Sequence, residues 1–176
     1  MAFAYPLRSE DDIKSMLDEL RKKYHDARHH CYAWRLGEDR LRYRANDDGE
    51  PSSTAGKPIL GRIDAHDLTN VLIVVVRYFG GTKLGVGGLI HAYREAAADA
   101  IKNSRIIEKK VYDRYVIACD YPLLNSVMKI IKDHRINYFD ADFSASCSLT
   151  IELWRQEKNL IIDKFQALQG IKIKQL

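Results

Sequence analysis

Cysteine is scarce in this chain: three residues in 176, Cys31, Cys119 and Cys147. They are odd in number and far apart, which excludes a disulfide framework and a CxxC metal or redox site. Long apolar runs are missing too. The longest, Val71–Val76, falls far short of the roughly 20 residues that a spanning helix needs. The opening MAFAYPLRSEDD lacks the basic-then-apolar layout of a signal peptide. Charge of one sign is only in mild excess, since 28 Lys plus Arg against 24 Asp plus Glu gives a formal +4. Such a balance permits an anionic partner without demanding one. Glycine is nearly absent from the second part, nine of the ten lying before residue 90. What is present is globular in composition: 46% apolar and 30% charged residues, well away from disordered chains. These features predict a soluble, cytoplasmic protein with no membrane span.

Periodicity divides the chain near residue 110. In the first part, AFAYPL reads as a strand and Ser9 with Asp12 as a capping-box-like helix start. Ile13, Met16, Leu17, Leu20 and Tyr24 then recur at helical spacing. A hairpin follows around Gly37-Glu38-Asp39. Beyond a polar loop, Asn46 to Gly56, a short helix begins at Pro58. Asn70 to Phe79 is the most apolar strand and is expected at the centre of a sheet, followed by a glycine-rich turn and a helix from about Gly88 to Asn103. After residue 110 the elements read β-α-β-β-α-β, the order of a ferredoxin-like split βαβ domain. The expected fold class is α+β, in two domains, 1–110 and 111–176. The first 110 residues hold 19 basic and 16 acidic side chains, net +3, so most of the excess charge lies there.

Three clusters in the first domain hold residue types suited to chemistry. The first, Asp26-Ala-Arg-His-His-Cys31, offers groups for acid–base work, metal ligation or phosphate contact, and equally for packing. In an extended segment His29 and His30 point to opposite faces. No HExxH spacing is present, and His25, His66 and His91 are remote, so a zinc set is not expected. The second cluster is Asp47-Asp-Gly-Glu-Pro-Ser-Ser-Thr-Ala-Gly-Lys-Pro58. Asp47, Asp48 and Glu50 are oxygen donors suited to a divalent cation, yet the calcium-loop pattern is missing. A P-loop is excluded because six residues separate Gly49 from Gly56-Lys57 and Pro58 takes the Ser/Thr place. A capped, hydrogen-bonded loop explains the pattern as well. The third cluster, Arg77-Tyr-Phe-Gly-Gly-Thr-Lys-Leu-Gly-Val-Gly-Gly-Leu89, runs from a strand through glycines into a helix start. Exposed N–H groups at that end suit an anion, and Arg77 and Lys83 add charge. Ile90 stands where a dinucleotide fingerprint needs its third glycine. Close helix–sheet packing alone would also use these glycines. No nucleophile elbow is present, and Cys31 reads as a small core residue. No resident cofactor or metal is expected.

ARHHCYAW, DDGEPSSTAGKPIL and VVVRYFGGTKLGVGGLIHAYREAA resemble the signature segments of the YigZ/IMPACT family. The family's motif positions fall on Arg28, His29 and His30; on Asp47, Asp48, Gly49, Glu50, Pro51, Gly56, Lys57 and Pro58; and on Arg77, Tyr78, Gly80, Gly81, Leu84, Gly85, Gly87, Gly88 and Leu89. Phe79 departs mildly, standing where a second tyrosine is frequent. The resemblance implies that a short stretch precedes the AFAYP strand in other members. It implies an N-terminal α/β two-layer domain over 1–110, similar to the second domain of a small-subunit ribosomal protein. Over 111–176 it implies a ferredoxin-like domain similar to the last domain of elongation factor G. It further implies relatives in eukaryotes that regulate translation by competing for the activator of an initiation-factor kinase.

The expectation that follows is a non-catalytic, translation-associated regulator binding RNA, the ribosome or a protein partner. Arg28, His29, His30, Lys57, Arg77, Tyr78 and Lys83 would form the anion-binding set, assisted by the N–H groups of Gly87 and Gly88. The alternative is an enzyme on a small phosphorylated or nucleotide-like substrate, with His29 or His30 as acid–base group and Asp48 or Glu50 holding magnesium. Any functional reading requires the three motifs to share one surface.

Overall fold

In the computed structural model, which describes residues 1–81, 83–144 and 147–176, the chain divides into two units, Met1–Ile107 and Glu108–Leu176. The first runs β1 (Ala2–Pro6), α1 (Asp11–Lys23), β2 (His29–Leu36), β3 (Arg42–Asn46), α2 (Gly56–Ala65), β4 (Val71–Arg77) and α3 (Gly85–Lys102). Its four strands are antiparallel in the order β1-β4-β2-β3. The apolar run 71–77 therefore lies inside the sheet, as its composition predicts.

Both faces of this sheet are covered. Ile73 and Val75 pack with Ile59 and Ile63 of α2 and with Leu89, Tyr93, Ala97 and Ile101 of α3. Leu72 and Val74, pointing the other way, pack with Ile13, Leu17 and Leu20 of α1. Burial of those three α1 side chains contributes about 2 kcal/mol each. The two-layer arrangement expected for this domain is thus corrected to three layers, because a strand apolar at every position needs cover on both faces. At the start of α1 the Ser9 N–H donates to the Asp12 carboxylate at 3.1 Å, so one half of the capping box is made. Helix α3 begins at Gly85, earlier than expected; among the described residues of the turn, positive φ falls at Gly81 and Gly85. Gly87 and Gly88 are then free to be helical.

The second unit runs β5 (Tyr112–Cys119), a 3-10 turn (Tyr121–Leu123), α4 (Leu124–Asp133), β6 (Asn137–Asp142), β7 (Cys147–Trp154), α5 (Lys158–Gln166) and β8 (Lys172–Gln175). The antiparallel order β6-β7-β5-β8 is that of a split βαβ fold. Ile117, Leu149, Ile151 and Leu153 pack with Val127 and Ile131 of α4 and with Ile161 and Phe165 of α5, all on one face. Asp113 accepts from Arg155 Nε at 3.0 Å and Lys158 Nζ at 2.8 Å. These donors hold its carboxyl down at about 2. Among the described residues no helix is long and apolar enough to cross a membrane.

Candidate anion-binding groove

The loop between β3 and α2 is organised by one carboxylate. Asp47 accepts from the N–H groups of Ser53, Ala55 and Gly56 at 2.8, 3.0 and 2.8 Å. Burial alone would raise its pKa, but these three donors and nearby Lys57 outweigh it and leave the carboxyl below its ordinary range. Gly56 is required by close approach: a Cβ there would sit 2.4 Å from the Asn46 backbone nitrogen. The next residues turn sharply, with φ +42° at Asp48 and +86° at Gly49. Asp48 is held in that costly conformation by the His30 N–H, which donates to its carboxylate at 2.6 Å, and by the Asn46 side chain.

The turn delivers Glu50 to the end of the sheet. β2 pairs with β4 so that His29 stands opposite Arg77. Arg77 Nη1 and the Tyr93 hydroxyl both donate to Glu50 Oε1 at 2.7 Å. His29 Nδ1 lies 2.9 Å from the Asp48 carbonyl. A carbonyl only accepts, so this nitrogen carries the proton. Nε2 is then turned toward Glu50 Oε1 at 3.8 Å, with the Glu50 side chain only 5% exposed. Behind it the Cys31 thiol is 3.2 Å from the Tyr93 hydroxyl and 2.9 Å from the Asp47 carbonyl. Burial pushes the thiol up to about 12, so it is not a nucleophile at neutral pH. Burial likewise raises the Tyr93 phenol, helped by the Cys31 and Glu50 neighbours.

In front of this network opens a groove of about 370 Å³ lined from all three motif segments. Arg28 and His29 come from the first, Gly49, Glu50 and Pro51 from the second, and Arg77, Phe79, Lys83 and Gly85 from the third. Among the described residues the Arg28 and Lys83 side chains form no ion pair, and both are exposed. The first turn of α3 has no side-chain cap and no acidic residue. The site therefore combines two free cations, a helix start and a buried, fully engaged carboxylate oxygen.

Several expected members lie elsewhere. His30 is buried on the α1 face, where desolvation lowers its pKa; alternation along β2 turns it away from His29. Tyr78 donates to Asp26 at 2.9 Å instead of facing the groove, for the same reason of alternation beside Arg77. Asp48 points to His30 N and Arg21, so it does not join Glu50 as a cation-binding pair. Lys57 and Pro58 line a separate cleft of about 460 Å³ with Arg62 and Arg94. That cleft is larger, but it is reached by the second and third segments alone, through Ser53, Lys57 and Pro58 and through Ile90 and Arg94. Gly87 and Gly88 lie in the first turn of α3, behind the lining residue Gly85. Tyr93 escaped sequence reasoning, although a phenol in the stripe Leu89, Tyr93, Ala97, Ile101 must find a polar partner.

A model of the Impact N-terminal domain matches residues 1–101. The chain belongs to the IMPACT family. The matched stretch contains every motif segment that lines the groove. Over its longer length the chain is 33% identical to the IMPACT family member YigZ of Escherichia coli, across 142 residues, 80% of this chain and 70% of the relative. It is 30% identical to the IMPACT family member YvyE of Bacillus subtilis, across 151 residues, 86% and 70% of the two chains. A solved structure described as "Crystal structure of an hypothetical protein" superposes with a TM-score of 0.66 at 26% identity, covering 99% of this chain and 87% of the other. That match extends the likeness of this IMPACT family member through the second unit.

Proposed function

We propose that this protein is a non-catalytic binder of RNA that acts in translation, and that the groove of its first unit receives a phosphate of the RNA backbone. The observation that carries the reading is the pair of cations, Arg28 and Lys83, which form no ion pair among the described residues, at a groove formed by all three IMPACT motif segments. The uncapped start of α3 adds positive potential in the same place. Family membership supports the link to translation, through relatives in eukaryotes that the motif resemblance marks as regulators of translation. An acid–base enzyme is the weaker reading. Glu50 Oε1 already accepts from Arg77 and Tyr93, and His30 and Asp48 face other partners.

The test is sedimentation of tagged protein with ribosomes through a sucrose gradient at two salt concentrations. The wild type is expected to co-migrate at low salt and to be released as salt rises, as phosphate contacts require. Arg28→Glu/Lys83→Glu is expected to stay at the top of the gradient. Co-migration unaffected by salt, or retained in the folded double variant, would overturn the reading. Co-migration that survives nuclease would transfer the role to a protein partner.

A further inference from the structure

The second unit lies outside the matched domain and holds a surface that the groove does not use. Its helices cover one face of the sheet, which takes Asp113, Tyr115, Ile117 and Cys119 from β5 and Cys147, Leu149, Ile151 and Leu153 from β7. Alternation places the intervening residues on the other face, which no helix of this unit covers. Tyr112 of β5 stands directly opposite Trp154 of β7, and Arg114 opposite Glu152. Phe139 of β6 is opposite Thr150. Lys174 and Lys172 of the edge strand β8 are opposite Val116 and Ala118.

This uncovered face joins aromatic rings to cations. Tyr112 is 48% exposed beside Trp154, and cross-strand neighbours have Cβ atoms about 5 Å apart. Phe139 stands beside Thr150, four residues along β7 from Trp154, a distance of about 13 Å. A cation sits over each of the two flanking rings: Lys110 Nζ is 4.1 Å from the Trp154 ring centre, and Arg114 Cζ is 5.0 Å from that of Phe139. Lys110, Arg114, Lys172 and Lys174 outnumber the carboxylates of this face. Glu152 is paired with Arg114 at 2.9 Å, and Asp142 accepts from the Ser144 N–H.

We infer that this face is a stacking platform for single-stranded RNA. Tyr112 is exposed and Trp154 and Phe139 are half-buried; aromatic faces flanked by cations suit unpaired bases, because a base stacks in the place of the cation and the cation turns to the adjoining phosphate. An uncovered four-stranded βαββαβ sheet with aromatic side chains is a geometry that RNA-binding domains use in this way. Tyr112 and Trp154 form the first station and Phe139 the second, with Lys172 and Lys174 along the phosphate path. The inference rests on the reading that the protein binds RNA but not on the groove being the contact.

The chain offers its own reporter. Its two tryptophans are Trp34 and Trp154; Trp34 is buried in the first unit, so quenching by a stacked base belongs to Trp154. The full chain is titrated with a fluorescein-labelled ten-nucleotide oligouridylate, followed by anisotropy. Tryptophan emission is read in a parallel titration with the unlabelled oligomer. Saturable quenching at the same midpoint is expected, absent in Trp154→Phe and absent when inorganic polyphosphate replaces the oligomer. Tyr112→Leu, on the surface and checked for folding by circular dichroism, should weaken binding about tenfold. Lys172→Glu/Lys174→Glu should weaken it and flatten its salt dependence. Binding with unchanged tryptophan emission and unchanged affinity in Tyr112→Leu would overturn the platform and leave RNA binding standing. Quenching that persists at full affinity in Arg28→Glu/Lys83→Glu would support the platform while removing the groove from the contact. No binding of the oligomer at low salt would overturn the platform. Ribosome association in the gradient would then still decide the wider reading.

Discussion

The two units each contain one antiparallel sheet of four strands, but they differ in what covers it. In the first, helices pack on both faces, and β4 is buried from Leu72 to Val76. Polar chemistry is excluded from the middle of that sheet and collects at its end, where His29 and Arg77 meet the turn that carries Glu50. In the second, both helices lie on one face, so polar and aromatic residues spread along the strands of the other. The number of layers thus decides whether a site is a deep, hydrogen-bonded corner or a flat surface. A corner must saturate each buried polar atom internally, whereas a surface leaves that to water.

The sharpest way to break this comparison is at Gly56. Gly56→Ala forces a Cβ against the Asn46 backbone and should cost about 3 kcal/mol in urea unfolding. A neutral result would mean that the loop is not locked. Asp47→Ala comes next, at about 2 kcal/mol, since a charged acceptor serving three N–H groups is lost. The pH dependence follows from the sign of the shift. A carboxyl held below its unfolded value stabilises fully above roughly pH 4 and loses that contribution as pH falls through the folded value. The difference between wild type and Asp47→Ala should therefore shrink on acidification below pH 4. Asp113 follows the same rule in the second unit, its contribution fading from roughly pH 4 towards its folded value of about 2. Tyr93→Phe should cost about 1 kcal/mol through the lost Glu50 hydrogen bond. On the uncovered face the exposed Arg114–Glu152 pair should matter least. A double-mutant cycle is expected to give less than about 0.5 kcal/mol. A larger coupling there would show that the second sheet also carries a buried-type network.

Much of the fold could be read from local pattern. The hairpin at Gly37, the interior place of the 71–77 strand and the β-α-β-β-α-β order all follow from periods of 2 and 3.6 interrupted by polar turns. The third layer could not, because the apolar stripe of α1 does not say which face of the sheet it will cover. In the site, the opposite orientation of His29 and His30 was readable from strand alternation. The company each would keep was not. Asp48 and Glu50 sit two residues apart, yet the positive φ values at Asp48 and Gly49 send one to the His30 backbone and the other to Arg77. Tyr93 joins them only because one turn of α3 passes behind β2.

By itself, then, the sequence determined the family, the elements and the residue types that the motifs bring: cations, a constrained acidic loop and a glycine-rich helix start. These depend on short-range spacing and backbone preference. Only the tertiary structure decided which of them meet. The register of β2 on β4 sets His29 beside Arg77, and one turn brings Glu50 to both. The arrangement leaves Arg28 and Lys83 facing a common groove while Lys57, Tyr78 and His30 turn elsewhere. Strand register and helix cover are settled by burial across the whole unit, a long-range condition that no local stretch of sequence contains.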